Sequence, residues 1–387
     1  MNPARNLSSL VVALLLCVLA ILGALPVAAA KPPAAPMGAR VRLASGAPGT
    51  TYLAASFPDP THGFVLTMRG SKSLVLSTVD GGRQWSRHAL PFTLPNGFPT
   101  AFQFVDPTDG WVMGGRCDGC RYPHTAIFAT TDGARSWRRI TLPDPTLLDF
   151  VSPSAGWATG SQCPDSRDFG INRPLRVCRT TDGGRTWFRA HWGFNRVFSF
   201  HFATAATGWA TGVHRGVSGV YLTHDGGRSW VRSMRFTRDI YASEVSFAGR
   251  DGWLVTENGA YCSEGGCVLT YQRTLDGGRS WQTVPFHGTM ARGFIAGLTF
   301  FDANHGWLVI SAGAGIGIGG VATTSDGGAR WRASIQLHCY RTLADLSLAV
   351  TGPTSAWLAG GDRSLCHAPS TLLHTIDLGH HWRVVLP

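Results

Sequence analysis

An eight-residue segment recurs through the chain and constrains the fold more than any other feature. It first reads Thr78-Val-Asp-Gly-Gly-Arg-Gln-Trp85, and its aspartate returns after 52, 50, 43, 51, 50 and 51 residues. The seven aspartates are Asp80, Asp132, Asp182, Asp225, Asp276, Asp326 and Asp377. A motif repeated seven times at a period of about 50 residues indicates an array of similar units rather than several unrelated domains.

A second marker keeps the same period. Gly-Trp, or a close variant of it, occurs once per unit, with its aromatic residue at Phe64, Trp111, Trp157, Trp209, Trp253, Trp307 and Trp357. Around both markers lie short runs of β-branched and aromatic residues separated by Gly, Pro and Asp, which is typical of strands. In the second unit these runs span 101–106, 110–115, 125–131 and 136–142. Each unit is therefore predicted to form four short strands.

One such unit cannot bury both of its faces, whereas a ring of units can. With 44% hydrophobic and only 15% charged residues, the chain has enough apolar side chains for such a core. We predict an all-β fold, a seven-bladed β-propeller of four-stranded blades over residues 51–387. The aspartate of each repeat is expected to bond its own turn, where the glycines accept positive φ, so its role is structural.

The first 30 residues read as a secretory signal. Arg5 precedes the apolar stretch Leu10–Leu25, and Ala28-Ala29-Ala30 provides a cleavage site. That stretch is short for a membrane span, although an uncleaved anchor remains an alternative. Residues 31–50 form a Pro/Ala-rich leader or linker. We expect a secreted or periplasmic protein, exterior to the cytoplasm, that does not insert into the membrane after signal cleavage.

Eight cysteines remain once the signal is removed, and an even number in an exported chain predicts disulfides. They are Cys117, Cys120, Cys163, Cys178, Cys262, Cys267, Cys339 and Cys366. Pairing each with its neighbour along the chain joins residues that are close in the predicted fold, and other pairings stay open. Cys117 and Cys120 could instead form half of a metal or redox site, but no second Cys-x-x-Cys accompanies them. We expect no metal and no cofactor.

The repeats resemble Asp-boxes, also called bacterial neuraminidase repeats. Together with Gly-Trp and the period near 50 residues, they resemble the photosystem II assembly/stability factor family of seven-bladed propellers over residues 51–387. The resemblance implies a non-enzymatic scaffold outside the cytoplasm that binds a partner protein. Asp-boxes also occur in sialidases and glycoside hydrolases, so an enzyme acting on extracellular glycans is the alternative function.

The predicted topology separates two faces. Loops between second and third strands, and those between blades, lie on one face, which carries all eight cysteines and which we call the disulfide face. The Asp-boxes lie on the opposite face. Five arginines crowd the disulfide face over blades 2 and 3: Arg116, Arg121, Arg167, Arg173 and Arg176. Arginine binds carboxylates with a bidentate fork, which predicts an acidic protein partner, with a glycan as a second option. Ion pairs with Asp118, Asp165 and Asp168 are the alternative.

A net charge of +11 also permits acidic partners. The positive charge is spread along the chain, without a recognition helix or an aromatic-basic stacking motif, so we expect no nucleic-acid partner. We expect a monomer.

Polar residues alternate with phenylalanines along the innermost strands. This strip either lines a wet channel or forms a ligand pocket around Asp149, His201, Glu244 and Asp345. Glycoside hydrolysis needs two carboxyl groups roughly 5–10 Å apart, but these three acids fall on blades 3, 5 and 7, none of them adjacent. The chain also lacks the Arg-Ile-Pro motif of sialidases. We therefore predict a non-catalytic protein.

Overall fold

The computed structural model describes residues 50–70, 72–91, 99–116, 124–142, 145–160, 176–191, 194–236, 240–263, 266–285, 291–311, 319–337, 346–360 and 370–385. Within these ranges 28 strands form five four-stranded sheets and one eight-stranded sheet. We number the consecutive groups of four strands as blades 1–7, and the eight-stranded sheet contains blades 5 and 6. Adjacent strands within each blade are antiparallel. No helix among the described residues is long and apolar enough to cross a bilayer.

Each of the first four blades is formed by four strands that are consecutive in the chain. Blade 1 contains β1 (Thr50–Ser56), β2 (Gly63–Arg69), β3 (Lys72–Thr78) and β4 (Ser86–Ala89). Blade 2 contains β5 (Pro99–Phe104), β6 (Asp109–Arg116), β7 (His124–Thr131) and β8 (Arg138–Ile140). Blade 3 contains β9 (Pro145–Phe150), β10 (Gly156–Gly160), β11 (Arg176–Thr180) and β12 (Phe188–His191). Blade 4 contains β13 (Phe194–Phe202), β14 (Gly208–His214), β15 (Val217–Thr223) and β16 (Val231–Arg235).

The last three blades continue the same order. Blade 5 contains β17 (Ile240–Ala248), β18 (Asp251–Ser263), β19 (Gly266–Thr274) and β20 (Gln282–Val284). Blade 6 contains β21 (Arg292–Phe300), β22 (Gly306–Ser311), β23 (Gly319–Thr324) and β24 (Arg332–Leu337). Blade 7 contains β25 (Ser347–Val350), β26 (Ala356–Gly360), β27 (Thr371–Thr375) and β28 (Arg383–Val385).

Aromatic stacking holds neighbouring blades together. In each stack a phenylalanine at the end of one blade's first strand, or directly after it, lies parallel to the marker aromatic of the preceding blade, with ring centroids 3.5 to 4.5 Å apart. The pairs are Phe64–Phe104, Trp111–Phe150, Trp157–Phe202, Trp209–Phe247, Trp253–Phe300 and Trp357–Phe57. The last pair joins blade 7 to blade 1 and closes the ring.

The glycine of the Gly-Trp marker makes room for these rings. A Cβ placed on Gly156 would lie 2.4 Å from the ring of Phe150 in the adjacent strand. Equivalent clashes would arise at Gly110, Gly208, Gly252 and Gly306. The glycine of the marker is thus explained by close packing between the first and second strands of a blade. The predicted all-β propeller class is confirmed.

The Asp-box turns have one repeated hydrogen-bond pattern, illustrated by blade 4. The carboxylate of Asp225 accepts bonds from the Thr223 hydroxyl at 2.8 Å and from the Ser229 backbone N–H at 2.9 Å. The Ser229 hydroxyl donates to its second oxygen at 2.6 Å. Gly226 and Gly227 have φ of 72° and 88°, the left-handed region that glycine tolerates best. The turn is therefore a self-contained unit whose carboxylate is engaged.

Asp-boxes also connect the blades. The indole N–H of Trp157 in blade 3 donates to the carbonyl of Gly226 in the box of blade 4, at 2.9 Å. In the seventh box Leu378 replaces that glycine, at φ 56°, and its carbonyl accepts bonds from Thr323 and Arg332 instead. The indole N–H of Trp307 has no hydrogen-bond partner within the described part of the chain. At the decayed seventh box, hydroxyl and guanidinium donors of blade 6 therefore bond the turn carbonyl in place of the indole N–H.

Candidate functional site

The arginines predicted to bind a partner belong to the predicted disulfide face. Arg116 ends β6 and Arg176 begins β11, so the backbone places both at the ends of strands that lead into or out of second-to-third-strand loops. Their side chains lie outside the described residues, as do Arg121, Arg167 and Arg173. Cys117, Cys120, Cys163, Cys339 and Cys366 also lie outside them.

Blade 5 provides the most complete description of the disulfide face. Cys262 and Cys267, which are consecutive cysteines in the chain, form a disulfide at the tip of the β18–β19 hairpin. Cys178 in blade 3 is also disulfide-bonded. The hairpin reaches the next blade, because Cys267 pairs with Gly293 of β21. The guanidinium of Arg292 also donates to the carbonyl of Tyr261 at 3.2 Å. Blades 5 and 6 consequently share one continuous sheet at this end.

A cavity of about 270 Å³ lies beside the first strands of blades 1, 2, 6 and 7. Leu53, Phe102, Leu348 and Ala296 contribute apolar surface, and Thr299 contributes a hydroxyl. No titratable side chain lines this cavity among the residues that the structure describes. The arrangement can accommodate part of a ligand by burial, but these residues provide no acid or base.

The polar strip along the first strands makes hydrogen bonds between blades. Gln103 accepts from the backbone N–H of Phe150 through its side-chain oxygen at 2.9 Å, and Asp149 accepts from that of Phe202 at 2.9 Å. Ser56 and Ser246 accept in the same way from Phe104 and Phe300. Each bond satisfies a backbone N–H on the exposed edge of the next blade, so the strip has a structural function that the sequence analysis did not anticipate.

Asp149 and His201 interact electrostatically across the boundary of blades 3 and 4. Burial raises the pKa of Asp149, and the neighbouring His201 acts in the opposite direction. Burial lowers the pKa of His201, against the attraction of Asp149. The His201 ring also lies beside the stacked rings of Trp209 and Phe247, nearly parallel to both, with centroids 6.2 and 6.5 Å away. Two of the four predicted pocket residues are thus brought together.

Glu244 is paired instead with an acid that sequence reasoning missed. Burial and the nearby charge of Glu257 raise the pKa of Glu244 to about 8. Glu257 is only 1% exposed; it accepts the Ile295 backbone N–H at 2.5 Å with one oxygen, and the other has no partner among the described residues. Burial also raises the pKa of Glu257. Asp345, the fourth predicted pocket residue, lies outside the described residues.

The sequence contains a signal that could have identified Glu257 as an inward-facing acid. Glu257 is one of three glutamates in the chain and lies four residues after the marker Trp253, on the same strand face. Its proximity to Glu244 could be recognised only from the structure, in which Glu244 pairs with Val255, two residues before Glu257 on the same strand. Among the residues with described positions, no group of three or more His, Cys, Asp or Glu side chains could hold a metal ion.

Comparison with known proteins relates this geometry to one family. The family model described as photosynthesis system II assembly factor YCF48 matches residues 47–187. The photosystem II stability/assembly factor HCF136, chloroplastic, of Oryza sativa subsp. japonica is 30% identical over 99 residues. That alignment spans 24% of this chain and 21% of the length of the rice protein.

Two solved structures share the fold over most of both chains. A structure of YCF48 bound to D1 peptide is 18% identical, with a TM-score of 0.52, covering 86% of this chain and 96% of that one. The β-propeller domain of the Trilobed protease from Pyrococcus furiosus is 9% identical, with a TM-score of 0.56, covering 87% and 98%. These two likenesses concern the fold alone. The family match confirms that the chain resembles the photosystem II assembly/stability factors, as its repeats predicted.

Proposed function

We propose that this protein is an exported, non-catalytic β-propeller scaffold that binds a protein partner, as an assembly or stability factor does. The family match over residues 47–187 supports this proposal, together with the photosystem II stability/assembly factor from rice. One structure of the same fold carries a bound peptide. The signal-like residues 1–30 support a location outside the cytoplasm, either secreted or periplasmic.

The proposal rests on how the buried acids of the first and second strands are used. Asp149 accepts a backbone N–H from the next blade, and Glu257 accepts that of Ile295. The described lining of the cavity beside the first strands of blades 1, 2, 6 and 7 has no titratable group. A propeller whose buried acids hold its blades together is better suited to binding than to acid–base chemistry, which needs such groups within reach of a substrate.

The binding surface in this proposal is the disulfide face over blades 2 and 3. Arg116, Arg121, Arg167, Arg173 and Arg176 would contact carboxylates of the partner by bidentate hydrogen bonds. Disulfides shorten the flexible length of the loops that carry them and reduce the entropy lost on binding. An acidic segment of the partner protein is therefore the proposed ligand.

A triple variant tests this surface. Replacing Arg121, Arg173 and Arg176 by Ala should weaken partner binding about tenfold or more and flatten its salt dependence, since exposed charges steer association. The partner would first be captured from envelope or medium and identified by mass spectrometry, and affinities would then be measured at several salt concentrations. The matched control replaces Arg87, Arg189 and Arg232, which should change neither quantity. Equal losses in the two variants would refute the assigned surface.

A glycoside hydrolase remains the competing function, because Glu244 and Glu257 form a carboxyl pair with raised pKa values. A panel of chromogenic glycosides distinguishes the two functions. The scaffold proposal expects no turnover. Turnover that is abolished by Asp149→Asn or Glu244→Gln in a folded protein would establish the enzyme instead.

A further inference from the structure

The sheet face of blade 5 that faces blade 4, here called its wall, differs from the equivalent face of the other blades at one position. In every blade one residue of the third strand pairs with the residue that follows the marker aromatic. Six blades place an apolar side chain or a cysteine there: Leu76, Phe128, Cys178, Tyr221, Ala322 and Leu373. These six residues pack in the cores between blades. Blade 5 has Gln272 instead, so its wall is polar where the other walls are filled.

A second polar position lies beside the first. The residue three positions after the marker aromatic is glycine in four blades (Gly114, Gly160, Gly212 and Gly360), threonine in blade 1 (Thr67) and isoleucine in blade 6 (Ile310). In blade 5 it is Thr256, which pairs across the strands with Thr270. Gln272 pairs in turn with Thr283 of β20. Because neighbouring strands lie about 4.8 Å apart, these four side chains form a two-dimensional polar array over three strands.

This array lines a cleft of about 340 Å³ between blades 4 and 5. Met234, Arg235 and Phe236 at the end of blade 4 form the facing wall. No side-chain hydrogen bond joins Thr256, Thr270, Gln272 or Thr283 to any other residue that the structure describes, and no carboxylate appears in the described lining. Among the described lining residues, the cleft therefore offers side-chain donors and acceptors and one cation, Arg235.

The chemistry of the cleft selects a class of ligand. Hydroxyl and amide groups spread over a sheet face can bond hydroxyls that point in several directions, and Phe236 and Met234 offer apolar surface. Arg235 can pair with a carboxylate. The volume is at the small end of the range for small-molecule sites. We propose that the cleft between blades 4 and 5 binds a short saccharide that carries a carboxylate.

A polypeptide fits this cleft less well. Extended peptides bind mainly through the main-chain groups of a sheet edge, whereas the cleft offers side chains of a sheet face. The proposed saccharide site is also separate from the arginines of blades 2 and 3, so it does not depend on the function proposed above.

The test is calorimetric titration of the full-length mature protein with digalacturonate and with its methyl ester. Wild-type protein should bind digalacturonate saturably. Gln272→Leu should weaken that binding about tenfold or more, because the cleft then loses an amide and gains bulk. Leucine is the residue of blades 1 and 7 at this position, so the variant should fold with an unchanged or higher Tm. Gln282→Leu, at an exposed position on the same β20 strand as Thr283, is the matched control and should bind as wild type.

Arg235→Gln tests the charge. It should lower affinity for digalacturonate about tenfold while the methyl ester loses less than about threefold. Arg232→Gln on the same strand should change neither affinity. Absence of saturable digalacturonate binding by the folded wild type, or equal affinity in Gln272→Leu, would overturn the proposal. Loss of partner-protein capture in Gln272→Leu, without saccharide binding by the wild type, would assign the cleft to a polypeptide and overturn it as well.

Discussion

At the scale of single residues, the box aspartates are structural anchors. Asp225 illustrates how a small polar side chain fixes a turn. Partial burial acts to raise its pKa, but hydrogen bonds from Ser229 and Thr223 outweigh burial and lower that pKa to about 2. The carboxylate is thus held ionised and occupied by its own loop at neutral pH, which leaves it little capacity to bind a ligand.

Replacing Asp225 by Ala should reduce the free energy of unfolding by about 1–3 kcal/mol, because several turn donors lose their acceptor. Urea denaturation monitored by tryptophan fluorescence measures this change. Ser229→Ala removes a single hydroxyl donor and should cost less. Partner binding should persist in the folded Asp225→Ala protein. Lost binding without lost folding would transfer the function to the box face.

At the scale of strands and blades, the boundary between blades 5 and 6 is the one at which described strands of two blades pair in a single sheet. The β18–β19 hairpin extends to pair with β21, and a buried carboxyl pair lies beneath it. Sequence periodicity predicted the strands, but it treated Glu244 as part of a channel strip. Only the register of β17, β18 and β21 shows that Glu244 meets Glu257 rather than Asp149.

This carboxyl pair predicts a pH dependence. The folded-state pKa of Glu244, about 8, is higher than its ordinary value of 4.5. Folded protein therefore binds the proton more tightly, and the stabilisation is complete below about pH 4.5 and is lost as pH rises towards 8. Glu244→Gln keeps a neutral side chain at every pH, so its free energy of unfolding should decline less than that of wild type between pH 5 and 8.

Urea denaturation of both proteins at pH 5, 6.5 and 8 measures the difference. Box aspartates such as Asp225, with a pKa of about 2, stay ionised across this window and do not contribute. His374, whose pKa burial and Arg383 lower to about 4, contributes equally to both proteins and cancels. Identical pH profiles would show that Glu244 is not protonated in the folded state.

At the scale of the whole molecule, the ring closes by contacts between complete blades. Each blade consists of four consecutive strands, so blades 1 and 7 share no sheet. They are joined by the stack of Phe57 on Trp357 and by bonds from the backbone N–H of Tyr52 to the Ser370 hydroxyl, at 2.7 Å, and from that of Ala55 to the Ser347 hydroxyl, at 3.1 Å. Closure of the ring between blades 7 and 1 therefore depends on side-chain contacts, as the boundaries between the other blades do.

A circular permutant should consequently fold. We expect a chain that begins at Phe194, and links residue 387 to residue 50 with a flexible Gly/Ser segment, to retain the β-sheet circular dichroism spectrum. It should unfold in one transition with a Tm within a few degrees of the parent, because every blade remains intact. Deletion of residues 346–387 should instead expose the aromatic faces of blades 6 and 1 and cause aggregation. Failure of the permutant to fold would show that the existing order of blades matters.

The sequence by itself determined the repeating unit, the strand content and the turn chemistry, because these depend on local interactions. Thr, Asp, Gly and Trp at fixed spacing specify a turn. Gly-Trp, repeated once per unit, specifies the close packing of the second strand against the phenylalanine of the first. Tertiary structure alone decided which side chains meet between blades, because register and sheet twist bring together residues far apart in the chain. Asp149 bonds to Phe202 and Glu244 meets Glu257 only in the assembled ring. Gln272 likewise opens a cleft only because blade 4 faces it.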